Sequence, residues 1–167
     1  SAEHILWMRD IGMDDVSKVG GKNASLGELI RIVVPQGVRV PEGFCVTADA
    51  YYYFLKQTGL DIFIAETLDG LDTRNLADLS RRGRNVRETI HTTPLPQDLE
   101  KEIIVAYQQM ERQYGRNTDV AVRSSATAED LPGASFAGEH ETYLGIRGAK
   151  NVVTATVWAM ASLFTDR

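Results

Sequence analysis

Apolar residues along this 167-residue chain fall into short runs and helical spacings rather than one long hydrophobic stretch. The first run is Ile5, Leu6, Trp7 and Met8 within residues 4–9, which reads as a buried strand before a polar turn over residues 12–15. Leu26, Leu29, Ile30 and Val33 then recur at helical intervals and predict one face of a helix over residues 24–34, beginning just after Gly20-Gly21-Lys22. Pro35, Gly37 and Pro41 punctuate the chain ahead of a strand at residues 44–47 and a helix at 48–55. The middle is helical. Leu76, Leu79, Gly83, Val86 and Ile90 make one face, and after Pro94 and Pro96 a second is made by Leu99, Ile103, Ala106, Tyr107 and Met110. The two helices read as an inserted hairpin. From Asp119 the texture changes: Val120-Ala121-Val122 predicts a strand ending at Arg123, small residues fill 124–138, and a second strand covers about 141–146. Val153, Val157, Met160 and Phe164 predict an amphipathic terminal helix with no closing Gly or Pro, which reads as a fragment of something longer. The expected class is α/β (α+β), in three sections: 1–60, a helical insertion at 61–115, and 116–167.

Composition narrows the function. A 43% hydrophobic content suffices for a real core, and 18 Lys+Arg against 23 Asp+Glu gives a net charge of −5. That balance argues against broad neutralisation of nucleic-acid phosphates but leaves room for one nucleotide held by two or three cations. A single cysteine, Cys45, excludes an internal disulfide and a cysteine-based zinc cluster, so a reducing compartment, the cytoplasm, is the expectation. No stretch approaches the apolar length of a membrane span, and residues 1–15 lack the order of a signal peptide.

Two segments carry candidate chemistry. In Val19-Gly20-Gly21-Lys22-Asn23-Ala24-Ser25-Leu26 the glycines let backbone approach an anion, a helix N-terminus offers unpaired N–H groups, and Lys22 adds a cation. It is not a Walker A loop, because Val16 and Asn23 stand where that pattern needs Gly and Ser or Thr. The same residues also fit a plain turn, with Ser25 and Glu28 spaced as a capping box. In the second segment Arg123 ends an apolar strand, where its guanidinium fork suits phosphate oxygens. Ala134-Ser135-Phe136-Ala137-Gly138 after it is small enough to fold over a triphosphate. The alternative is a surface loop in which Arg123 pairs with Glu129 or Asp130, themselves best read as a solvated acidic turn. His4, His91 and His140 have no metal-ligand spacing, and no Gly-x-Ser-x-Gly elbow supports serine hydrolysis.

Taken with Val40-Pro41-Glu42-Gly43-Phe44-Cys45-Val46-Thr47 and Ala161-Ser162-Leu163-Phe164-Thr165-Asp166-Arg167, these strings resemble, nearly end to end, the N-terminal region of the phosphoenolpyruvate synthase (pyruvate, water dikinase) family. The resemblance implies the first part of an ATP-grasp nucleotide-binding domain. With Mg2+, such a domain passes the β-phosphoryl of ATP to a histidine on a separate domain, and the phosphohistidine converts pyruvate to phosphoenolpyruvate. By motif position Lys22 and Arg123 would hold ATP phosphates, with Gly138 and Thr142 against them in the Gly-rich cover. The resemblance places the metal ligands, the adenine pocket, the phosphorylated histidine and the pyruvate site in other parts of such a protein. Glu139-His140 departs from the Gln-Gln that family commonly shows. Rifampicin phosphotransferases are similar in the same segments, and a non-catalytic nucleotide-binding module is the more distant alternative.

Overall fold

The computed structural model describes residues 3–125 and 142–164. Strand β1 (Ile5–Trp7) pairs antiparallel with β2 (Phe44–Val46), Ile5 opposite Val46 and Trp7 opposite Phe44. Between them run two short 3-10 turns, helix α1 (Val16–Val19), helix α2 (Gly21–Val33) and a third 3-10 turn. Four helices follow β2: α3 (Ala48–Thr58), α4 (Leu60–Leu68), α5 (Leu76–Thr92) and α6 (Gln97–Tyr114). Strands β3 (Val120–Arg123) and β4 (Thr142–Ile146) form a second antiparallel pair, and α7 (Ala149–Ala161) ends the described chain with a 3-10 turn.

Helix boundaries follow local chemistry. Thr47 caps α3, its Oγ1 accepting from the Ala50 N–H at 3.2 Å, and Asn75 caps α5 by accepting from the Asp78 N–H at 3.1 Å. Gly59, at φ 75°, turns the chain sharply between α3 and α4.

The larger core gathers Phe54 and Leu55 of α3, Ile64 of α4, Val86 and Ile90 of α5, Leu99, Ile103 and Tyr107 of α6, and Phe164. The faces predicted for α5 and α6 are therefore the buried ones, except that Leu76, first in its series, is 73% exposed. Helix α7 buries Val152, Ala155, Thr156, Val157, Ala159, Met160 and Ala161 and exposes Lys150, Asn151, Thr154 and Trp158, so it is amphipathic as expected but with a wider buried face than the predicted stripe. A smaller core of Met8, Ile11, Val19, Ala24, Ile30 and Cys45 lies under α2.

Helix α2 differs most from its sequence reading. It starts at Gly21, three residues early, and buries Ala24, Gly27 and Ile30, whereas Leu29 is 52% and Leu26 36% exposed. The reason is steric: a Cβ on Gly27 would fall 2.8 Å from the carbonyl carbon of Ile11 and closer still to its oxygen. The helix approaches the chain so tightly that small residues, not large ones, must face inward.

Two partly buried ties join the later elements to this scaffold. The Tyr107 hydroxyl donates to the Thr118 carbonyl at 2.7 Å and accepts from the Gly148 N–H at 2.9 Å, joining the approach to β3 to the start of α7. At the edge of α5, Arg87 donates from Nη1 to the Phe164 carbonyl at 2.6 Å.

Gly27→Ala should lower folding stability by about 1–3 kcal/mol, as overpacking against backbone does. Gly21→Ala, whose added Cβ meets nothing within 4 Å, should leave it within about 0.5 kcal/mol. Urea midpoints at unchanged slope measure both.

Candidate functional site

Helices α1 and α2 would run together but for Gly20. Its φ of 85° and ψ of 161° belong to a region open to glycine and strained for other residues. In an unbroken helix the Val19 carbonyl would accept from the Asn23 backbone N–H four residues on. Here it instead accepts from Asn23 Nδ2 and from Ser125 Oγ, each at 3.0 Å. Ser125 lies just past β3, so its hydroxyl fastens the end of that strand to the glycine corner. Arg123, the last residue of β3, completes the junction by donating from Nη2 to Asn23 Oδ1 at 3.4 Å.

The second strand adds one more group. Between the pairs Val120–Ile146 and Val122–Tyr143, β4 holds one residue more than β3. Gly145, at φ 65°, lies within this bulge. The shifted register sets Thr142 directly opposite Arg123.

Val19, Asn23, Arg123 and Ser125 border a cavity of about 580 Å3 between the two cores. Lys18, Asn23, Arg123, Ser124 and Ser125 contribute its polar lining, while Cys45, Tyr51, Tyr107 and Met160 belong to its buried part. Two carboxylates also line it, and both are matched: Glu42 pairs with Arg9, and Asp119 stands 3.9 Å from Arg147. Among the described residues Arg123 has no carboxylate partner. The N–H groups of Gly21, Lys22 and Asn23, in the first turn of α2, lack acceptors within the helix. Unpaired N–H groups, a guanidinium and nearby lysines make an arrangement that attracts an anion with several oxygens.

Of the residues nominated from sequence, Arg123 and Thr142 come together across the sheet. Lys22 adjoins Asn23 in the first turn of α2, with its side chain exposed and outside the cavity wall. Gly138 lies outside the described residues, as do Glu129, Asp130 and Glu139-His140. The capping-box alternative does not hold. Ser25 sits inside α2 rather than at its start, and Glu28 accepts from the Met13 N–H at 2.9 Å. Asn23, Ser125 and Lys18 were not nominated; the first two stood inside the quoted motifs, but nothing in spacing says that they meet.

The two histidines among the described residues have structural partners. His4 lies 2.7 Å from Glu102 and stacks on Tyr53, and His91 stacks on Trp158 at 4.7 Å. Burial, reinforced by Arg87, lowers the His91 pKa and keeps its ring toward the neutral form. Among the described residues no group of three His, Cys, Asp or Glu is placed to hold a metal ion. Nor is any helix among them long and apolar enough to cross a membrane.

Comparison with known proteins bears directly on this corner. Residues 16–167 match the family model described as pyruvate phosphate dikinase, AMP/ATP-binding domain. The chain belongs to this family. Both segments that build the junction, Val19 to Asn23 and Arg123 to Ser125, fall inside the matched dikinase domain. The chain is 52% identical over 164 residues to phosphoenolpyruvate synthase of Aquifex aeolicus, covering 98% of this chain and 19% of that protein. It is 47% identical over 167 residues to the Escherichia coli synthase, covering all of this chain and 21% of that protein. A probable phosphoenolpyruvate synthase of Methanocaldococcus jannaschii is 46% identical, with 14% of its length covered. The chain thus spans about a fifth of the length of the curated relatives it matches.

Cys45 in the cavity wall is a buried thiol that donates to Met8 Sδ at 3.4 Å, and burial pushes its pKa up to about 11 despite the opposing pull of Arg123. It should react with iodoacetamide at pH 8 far more slowly in the folded protein than in urea, because only the thiolate is nucleophilic. Because the folded pKa is raised above the ordinary value of 9, the thiol's contribution to stability is complete below pH 9. It is lost as pH climbs toward about 11, which pH-dependent urea midpoints would register.

Proposed function

We propose that this chain is the ATP-binding N-terminal part of a phosphoenolpyruvate synthase, in which Lys22, Arg123, Gly138 and Thr142 hold the polyphosphate of ATP. The observation that carries the reading is the Val19–Asn23–Ser125–Arg123 junction. In a chain of the AMP/ATP-binding family, two segments a hundred residues apart meet at a cavity whose wall includes Asn23, Arg123 and Ser125. The relatives are named phosphoenolpyruvate synthases, and the reaction is the one the motif resemblance implies: ATP, pyruvate and water become AMP, phosphoenolpyruvate and phosphate. The β-phosphoryl of ATP passes to a histidine on another domain as AMP leaves, water takes up the γ-phosphate as inorganic phosphate, and the phosphohistidine then phosphorylates pyruvate at a third domain.

The task of this chain's residues is electrostatic. Arg123 presents a planar fork to phosphate oxygens, Lys22 adds a point charge, and the first-turn N–H groups of α2 cradle the anion. As charge shifts along the polyphosphate during transfer, fixed donors stabilise it without reorganising. Thr142 beside Arg123 adds a hydroxyl, and Gly138 belongs to the cover over the phosphates.

Mg2+ is the expected companion of ATP, but the site's own donors do not fit it. Its charged side chains are cations, and the two carboxylates of the cavity wall are already paired. The ion would travel with the triphosphate and take its acidic ligands from elsewhere in the protein. In this reading residues 1–60 and 116–167 are parts of an ATP-grasp lobe, residues 61–115 are a helical insertion that packs onto it, and the enzyme works in the cytoplasm.

In the complete polypeptide, Lys22→Ala and Arg123→Ala should each slow phosphohistidine formation from ATP by about 10- to 100-fold, the loss expected for a charged hydrogen bond. Exchange of label between pyruvate and phosphoenolpyruvate, which needs no ATP, should persist. Undiminished labelling from ATP in either variant would remove that residue from the site.

A further inference from the structure

We propose that Asn23 is a positioning residue, holding the Arg123 guanidinium at the cavity so that it meets the polyphosphate already oriented. This rests on the reading that Arg123 binds ATP. The amide can be placed only one way round. The Val19 carbonyl can only accept, so Asn23 must turn its NH2 toward it, at 3.0 Å. Its Oδ1 is then left facing a guanidinium that can only donate, at 3.4 Å. Reversing the amide would set acceptor against acceptor and donor against donor. Ser125 Oγ donates to the same carbonyl, so the acceptor that orients the amide is itself tied to the end of β3.

Charge explains why an amide suits this position. A carboxylate would grip Arg123 harder but would cancel the charge on which phosphate attraction depends. An aliphatic side chain would leave an exposed arginine with its full rotamer freedom, to be lost when nucleotide binds. A neutral acceptor occupies one of the five guanidinium N–H groups and leaves the rest for the ligand.

The test is a double-mutant cycle in the complete polypeptide, reading KM for ATP and the rate of phosphohistidine formation from ATP labelled at the β-phosphate. Asn23→Ala should raise KM for ATP about tenfold, the loss of one charge-assisted hydrogen bond. Asn23→Asp, of the same size, should raise it further. In an Arg123→Ala background, Asn23→Ala should add nothing. A residue that only braced the glycine corner would give equal losses for Ala and Asp, and those losses would multiply with Arg123→Ala; either result overturns the proposal. Should Asn23→Ala lower the melting temperature, the isosteric Asn23→Asp decides alone, and a KM at the wild-type value would refute the positioning role. If Arg123→Ala itself leaves the use of ATP intact, it is the nucleotide reading that fails, whatever Asn23 does.

Discussion

The carbonyl of Val19 is the point on which the site depends. Gly20 takes a backbone conformation that breaks the helix, and the break frees this acceptor from the ladder. Asn23 claims it from the first turn of α2 and Ser125 from just past the end of β3, 106 residues away in sequence. Each bond adds about 1 kcal/mol of net stability, which is modest against the loop entropy it closes. Their effect is geometric: they fix where Arg123 leaves the strand. The helices between them, α3 to α6, make that meeting possible, because their shared core brings the end of β3 back to the glycine corner.

A rigid frame on each side of the cavity follows from ordinary packing. Tyr107 reaches from α6 to bind both the loop before β3 and the start of α7, and α7 is buried over more than half of its residues. The strand carrying Arg123 therefore rests on the most buried helix of the molecule. On the other side, the close approach of Gly27 to Ile11 holds α2, and with it the Gly20–Asn23 corner, against the first sheet. A phosphate-binding site needs this division, with donors at the surface and little freedom beneath them.

The sequence was informative where period and burial coincide. The faces of α5 and α6 could be read directly, since Val86, Ile90, Leu99, Ile103 and Tyr107 are large, apolar and helically spaced. It misled at α2, where Ala24 and Gly27 take the inward positions and Leu26 and Leu29 face out. Hydrophobic spacing weighs size, whereas a close helix approach selects for its absence. The width of the buried face of α7 was hidden for a related reason: Ala155, Thr156 and Ala161 carry little hydrophobic signal, yet all are packed. At the site, Arg123 and the twin glycines were identifiable by chemistry, and Thr142 by the motif resemblance. Asn23 and Ser125 were not, because their roles arise from a contact between distant segments that no local pattern encodes.

The central claim is that the glycine corner and the end of β3 grip the same polyphosphate. The most direct measurement is a crystal structure of the complete polypeptide with a non-hydrolysable ATP analogue. The account predicts Lys22 Nζ and the Arg123 guanidinium within hydrogen-bonding distance of oxygens on one triphosphate, with Asn23 still holding Arg123. A triphosphate bound elsewhere, with either cation turned away from it, would contradict the account.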